Sequence, residues 1–273
     1  MVGGAWRSCG GGHYLRLVRR TTQHIAGGLA ASLLLLSACG GGSDDDDAVD
    51  AADDTTTTTE EAAGSSGEFT VASPTGVLVA TAVPAQVQVY ATAAEDEPTT
   101  LLDNPNENGA PLVFLVQEEL GEWLEVLLPI RPNGSTGFIK TADVTLADNP
   151  YRVDIKLAEH RLTVTKGEEV IADEPIGVGT ATTPTPGGTY YLKELLQPPD
   201  PTGAYGPFAY GLSGFSNELE SFNGGDGVIG IHGTNEPELI GTDVSHGCIR
   251  MSNEAITALA AELPLGTPVH IEA

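Results

Sequence analysis

Two short runs near the C-terminus hold the residue types needed for nucleophilic chemistry: Gly230-Ile231-His232-Gly233-Thr234 and Ser245-His246-Gly247-Cys248-Ile249-Arg250. A thiol attacks a carbonyl carbon as the thiolate, so Cys248 needs a base within hydrogen-bond reach. His232 and His246 are both candidates. His232 ends an apolar run and is followed by glycine, which leaves the ring room, whereas His246 stands two residues before Cys248. Side chains two apart share a face in extended backbone but need not in a tight turn, so spacing leaves the base undecided. Gly247 lets the backbone approach a substrate closely, and the amides of Gly247 and Cys248 can together form an oxyanion hole. Zinc is a competing reading, with His232, His246 and Cys248 as three ligands of an open site. No fourth ligand stands at motif spacing, although Asp243 is nearby. Glycines at 230, 233 and 247 argue against plain core packing of these polar residues.

Cys9 and Cys39 both lie in the N-terminal part of the chain. Cys9 precedes an export segment, and Cys39 ends Leu36-Ser37-Ala38-Cys39, which has the form of a lipoprotein processing site. Arg7, Arg16, Arg19 and Arg20 make a basic region without carboxylates, followed by the mostly apolar Ile25 to Leu36. That apolar run is shorter than the roughly 20 residues a membrane-spanning helix needs. Residues 1–38 therefore read as a lipoprotein signal peptide, with Cys39 as the lipidated residue. The protein is expected to be exported and anchored on the outer side of the membrane by that lipid. Exported proteins normally pair their cysteines, so a lone thiol at 248 points to reactivity.

Charge narrows the partners. Among 273 residues, 38 are Asp or Glu and 12 are Lys or Arg; without the four leader arginines the net charge is about −30. Nucleic acid and anionic membrane surfaces both call for a basic patch, and neither is expected as a partner. Much of the acidity lies in residues 39–74, where Asp44 to Asp47, Asp50, Asp53, Asp54, Glu60 and Glu61 surround the threonine run 55–59. Such a segment lacks the apolar surface to fold and reads as a disordered tether.

Beyond it come short apolar runs separated by turn residues. Val77-Leu78-Val79, Val87 to Tyr90, Leu112 to Val116, Trp123 to Leu128 and Gly137 to Lys140 have strand length, with a turn at Asn104 to Gly109. Five strands in about 70 residues suggest a small barrel. The spacing of Trp123, Arg131-Pro132-Asn133-Gly134 and Thr136-Gly137-Phe138-Ile139 resembles the bacterial SH3-like domains that precede wall enzymes. Residues 75–148 are read as that domain and 149–273 as the catalytic one, divided at Asn149-Pro150.

In the second domain, Arg152 to Leu157 and Arg161 to Thr165 alternate as a hairpin would, and strands follow at Ile176 to Gly179, Tyr190 to Leu192, Gly227 to His232 and Val269 to Ile271. One helix is evident, with Ser252 or Asn253 as its cap, a stripe of Ile256, Leu259, Ala260 and Leu263, and Pro264 as its stop. The fold class is mainly β, with a single helix following the cysteine.

The runs around His232 and Cys248 resemble the L,D-transpeptidase signature. Thr183-Pro184-Thr185-Pro186-Gly187, Tyr205-Gly206-Pro207, Leu212 to Ser216 and Gly266-Thr267-Pro268-Val269 extend the likeness from Tyr151 to Ile271. The resemblance implies a β-sandwich with Cys248 as nucleophile, His232 as proton donor and acceptor, and the Gly233 carbonyl orienting the His232 ring. It places His246 in the shell shaping the site and Gly247 among the oxyanion amides. Arg250, Ser245 and Tyr205 are placed on the substrate, with Arg250 on a carboxylate, a role suited to a guanidinium; a salt bridge to Glu254 is the other reading of Arg250. No metal or cofactor is implied. The implied reaction is acyl transfer in peptidoglycan: Cys248 displaces D-alanine from a tetrapeptide stem, and a neighbouring stem's amine resolves the thioester into a 3→3 cross-link. Carbapenems are implied as covalent inhibitors. Two rivals remain: an L,D-carboxypeptidase or endopeptidase, in which water resolves the thioester, and a non-catalytic wall-binding module.

Overall fold

A computed structural model describes residues 76–221 and 225–273. The expected signal peptide, the lipidated Cys39 and the tether lie outside the described residues.

Seven strands occupy the first part: β1 (Val77–Ala82), β2 (Gln86–Val89), β3 (Thr100–Asp103), β4 (Val113–Leu120), β5 (Trp123–Leu127), β6 (Thr136–Lys140) and β7 (Val144–Asn149). Five of them form an antiparallel sheet in the order β6-β5-β4-β1-β7. The β2–β3 hairpin joins it through a bridge between Tyr90 and Phe138. Val87, Val89, Phe114, Leu124, Val126 and Ile139 form the core between them. Apolar runs in the sequence anticipate five of these strands. They miss β3 and β7 because both are largely exposed, so neither shows an apolar face alternating with a polar one.

Ten strands and one helix follow: β8 (Tyr151–Lys156), β9 (Arg161–Lys166), β10 (Glu169–Pro175), β11 (Val178–Gly179), β12 (Gly188–Leu196), β13 (Ala209–Phe215), β14 (Val228–His232), β15 (Asp243–Ser245), β16 (Ile249–Arg250), α1 (Asn253–Glu262) and β17 (Pro268–Glu272). Eight of these strands form one sheet, ordered β10-β9-β8-β17-β12-β13-β14-β16, while β11 and β15 pair separately. The last strand is not at an edge. It runs parallel to β8 and antiparallel to β12, and Val269 and Ile271 are buried on arrival. The molecule is mainly β, as the residue patterns require.

Helix α1 begins where Ser252 Oγ accepts the amide of Ala255 at 3.1 Å, satisfying one of the amides that a helix start leaves open. Its Ile256 and Leu259, with Leu263 just after it, join the main core with Tyr210, Leu212, Ile229, Ile231 and Ile249. Tyr210 Oη donates to the carbonyls of Leu259 and Leu263 at 3.1 and 2.9 Å, tying the end of the helix to β13. The strand that delivers His232 and the helix after Cys248 thus share one core.

The two sheets are packed against each other. Val79, Val113, Leu115 and Leu127 bury Tyr191 of β12 in a third apolar cluster. A Cβ on Gly266 would come within 2.3 Å of Val79 Cγ1, so the loop before β17 can lie on β1 only as glycine. Asn106 and Asn108 each donate to Glu194 Oε2 at 2.9 Å. Those bonds hold a carboxylate that is only 3% exposed, a group that would be costly to bury without partners.

Candidate active site

Cys248 reaches the site through strand pairing. β14 and β16 run parallel, with Ile231 opposite Ile249 and His232 opposite Arg250. Ile229 and Ile231 of β14 and Ile249 of β16 are buried, so the core fixes where the polar residues at the strand ends emerge. Cys248 immediately precedes β16, and β15 ends three residues before it. The chain therefore turns sharply between Ser245 and Cys248.

Hydrogen bonds define that turn. Ser245 Oγ donates to the Cys248 carbonyl at 2.5 Å and accepts the Gly247 amide at 3.1 Å. Gly247 has φ of +113°, which an L side chain rarely adopts, and a Cβ there would stand 3.0 Å from Ile229 Cδ1. Thr185 Oγ1 donates to the Gly247 carbonyl at 2.9 Å and accepts the Gly179 amide at the same distance. The Thr180 amide donates to the Ser245 carbonyl at 3.0 Å. The loop 180–187 is therefore a brace beneath the cysteine turn. Sequence reasoning picks out Thr183 to Gly187 only as a matching motif and assigns Thr185 no part. A threonine in a proline-rich loop gives no local sign that its hydroxyl bonds a carbonyl 62 residues away along the chain.

His232 is 4% exposed and Ser245 3% exposed, while Cys248 is a half-buried free thiol. His232 Nδ1 lies 2.6 Å from the Gly233 carbonyl. A carbonyl only accepts, so Nδ1 holds the proton and Nε2 has its lone pair free to act as a base. The carbonyl comes from a residue whose own surroundings are tight: a Cβ on Gly233 would meet Asn253 Oδ1 at 2.2 Å. Asn253 Oδ1 also accepts the Thr234 amide at 2.9 Å. Asn253 thus fixes the loop after His232, a part that its sequence position as a candidate helix cap does not reveal; Ser252 makes the cap.

Burial sets the protonation states. It pushes the Cys248 thiol above its ordinary value, opposed by a Gly230 backbone hydrogen bond and the Arg250 charge. Burial also pulls His232 down to about 4, opposed by the Gly233 carbonyl and assisted by Arg250. Both directions favour a neutral thiol beside a neutral imidazole over a thiolate–imidazolium pair.

Cys248, His232, Tyr205, Ser245, His246 and Arg250 line one pocket, together with Ser216, Leu219 and Val228. Its volume is about 110 Å³. The Tyr205 ring tilts against the His232 ring with centroids 4.9 Å apart. His246 is exposed at the pocket rim. Two expected contacts read differently in the fold. Ser245 lines the pocket, yet its hydroxyl is committed within the turn. The Gly247 amide, expected to face an oxyanion, donates to that same hydroxyl. Arg250 pairs through Nη1 with Glu236 Oε2 at 2.8 Å, so Glu236 replaces the Glu254 partner read from the sequence. Arg250 Nε is buried without a hydrogen-bond partner. Among the described residues, no three His, Cys, Asp or Glu side chains converge as metal ligands.

Residues 150–271 match the family described as the L,D-transpeptidase catalytic domain, of the YkuD type. A provisionally named L,D-transpeptidase, YkuD of Bacillus subtilis (strain 168), is 37% identical over 122 residues, covering 45% of this chain and 66% of its own. The chain thus spans slightly less than two thirds of that relative. Among solved structures, Bdellovibrio bacteriovorus Bd1075 aligns at 26% identity over 45% of this chain and 48% of its own, with a TM-score of 0.36. L,D-transpeptidase 3 from Mycobacterium tuberculosis, in complex with a faropenem-derived adduct, aligns at 14% identity over 53% and 76%, with a TM-score of 0.38. Overlaps that low carry no weight, and the sequence match is the stronger finding. It covers the stretch in which the fold brings His232 and Cys248 to one pocket: residues 150–271 match the L,D-transpeptidase catalytic-domain family.

Proposed function

We propose that the protein is a peptidoglycan L,D-transpeptidase that forms 3→3 cross-links through a thioester on Cys248. The observation that carries this reading is the pair itself: a free thiol and a buried imidazole held in one tautomer, both lining one pocket. His232 Nε2 takes the thiol proton as Sγ attacks the carbonyl carbon of the penultimate residue of the stem. The tetrahedral oxyanion is met by backbone amides, with the Cys248 amide as one donor; the Gly247 amide serves only if it leaves Ser245 Oγ. Collapse breaks the peptide bond, and His232 returns the proton to the departing D-alanine amine. The acceptor amine then gives its proton to His232 and displaces sulfur, which restores the thiol. Arg250 lines the same pocket, where a guanidinium suits a stem carboxylate, and Tyr205 bounds the acyl end.

On the same reading, carbapenems acylate Cys248. Residues 75–148 are an SH3-like domain, and the mature protein is exported and held at the membrane through lipid on Cys39, with residues 39–74 as tether. A Cys39→Ala variant then leaves the membrane fraction or accumulates unprocessed, and identical partitioning would refute the anchor. For the reaction itself, purified tetrapeptide muropeptides are incubated with the chain and the products weighed. Cross-linked dimers with loss of D-alanine are expected. Shortened monomers alone would make the enzyme a carboxypeptidase, and unchanged substrate would make it a binding module.

A further inference from the structure

The turn Arg131-Pro132-Asn133-Gly134, between β5 and β6, belongs to the first sheet yet makes its polar contacts with the wall of the pocket in the second. Arg131 Nη1 donates to the Ser216 carbonyl at 2.8 Å. Its Nη2 donates to the carbonyls of Leu219 and Asp226, each at 3.0 Å. The guanidinium also stacks over the Phe215 ring, 4.9 Å from its centroid. Asn133 pairs with the backbone of Phe215 in both directions at 2.8 Å, as an added strand residue would.

These partners are the supports of the pocket. Ser216, Leu219, Gly227 and Val228 line it beside Cys248 and His232. The Ser216 amide donates to the Gly227 carbonyl at 2.8 Å, and Ser216 Oγ accepts the amides of Glu218 and Leu219 at 3.2 and 3.1 Å. Gly227 has φ of +69°, and a Cβ on it would stand 2.3 Å from the Leu219 carbonyl oxygen and 3.3 Å from Arg131 Nη2. Ser216, Leu219, Asp226 and Gly227 therefore gather around the guanidinium. Three carbonyl dipoles converge on one cation, and charge-assisted hydrogen bonds are the strong ones. A generic spacer would have no reason to place a planar five-donor group there.

We propose that Arg131 and Asn133 are positioning residues for the acyl-donor pocket, so that the first sheet completes the site it precedes. The proposal rests on the acyl-transfer reading. The wall shapes where the donor lies and takes no part in proton transfer, so its loss alters reaction with an extended donor and spares reaction with a small one.

The test uses the full chain, with Arg131→Ala, Asn133→Ala and Arg131→Lys variants. Acylation of Cys248 by tetrapeptide muropeptide is expected to slow about 10- to 100-fold in Arg131→Ala, since misplacement by about an ångström costs on that order. Alkylation of Cys248 by iodoacetamide, which needs no wall, stays within about twofold. Arg131→Lys keeps the charge but not the fork and recovers only part of the loss. Hydrogen exchange quickens at the Phe215 and Ser216 amides and not at β8, β9 or β17. Unchanged exchange at Phe215 and Ser216 with unchanged acylation would overturn the proposal. So would equal slowing of both reagents with exchange raised throughout the sheet, which is general destabilisation. If the wild type forms no acyl adduct, the acyl-transfer reading fails, and local exchange still decides whether Arg131 sets the wall.

Discussion

Cys248→Ala is expected to abolish covalent capture of a carbapenem, and the wild-type chain is expected to gain a single adduct that peptide mapping places on Cys248, if the proposed acyl transfer holds. A β-lactam carbonyl is an acyl donor that opens onto sulfur and leaves no departing group to carry the acyl chain away. Cys248 is the free cysteine among the described residues, and it lines one pocket with His232. The expected difference is complete, because alanine has no nucleophile to replace the thiol. Cys248→Ser retains near-native volume and checks that the loss is chemical rather than structural. An adduct persisting on Cys248→Ala would move the nucleophile elsewhere.

His232→Ala is expected to slow acylation by about 100- to 10,000-fold, the usual range for a lost general base, and His246→Ala to cost far less. His232 is buried with its tautomer set by Gly233, whereas His246 is exposed at the rim. The pH profile carries the same distinction. Burial holds His232 to about 4, so the acid limb of the acylation rate falls near that value, well below that of an ordinary histidine, because the base works only when neutral. Stability follows the same group. The unfolded chain binds this proton more readily than the folded one, so the His232 contribution is present above about 6.5 and is lost as pH falls toward about 4. A larger loss from His246→Ala, or an acid limb near 6.5, would reverse the assignment of the base.

The sequence exposes chemistry and strands with strong local signals. His232, Gly233, Gly247 and Cys248 stand out in the sequence because their types and spacing are unusual. β8, β9 and α1 are legible because burial on one face leaves a period. Long-range partners leave no such trace. Thr185 holds the cysteine turn, Asn253 holds the loop after His232, and Glu236 takes Arg250; each bond depends on strand order, which no local pattern encodes. Arg131 is the clearest case. In the sequence it is a turn residue of a barrel-like module, and only the packing of the two sheets turns it toward the Ser216, Leu219 and Asp226 carbonyls. Ser245 shows the converse: its type and position suggest contact with substrate, yet two hydrogen bonds inside the turn occupy its hydroxyl.

The central claim, a thioester on Cys248, is tested most directly by mixing the full chain with tetrapeptide muropeptide, quenching in acid and weighing the intact protein. A transient adduct equal to the stem less D-alanine is predicted on Cys248, with free D-alanine released in equal amount. Release of D-alanine without any protein adduct at any quench time, with Cys248→Ala equally active, would contradict it.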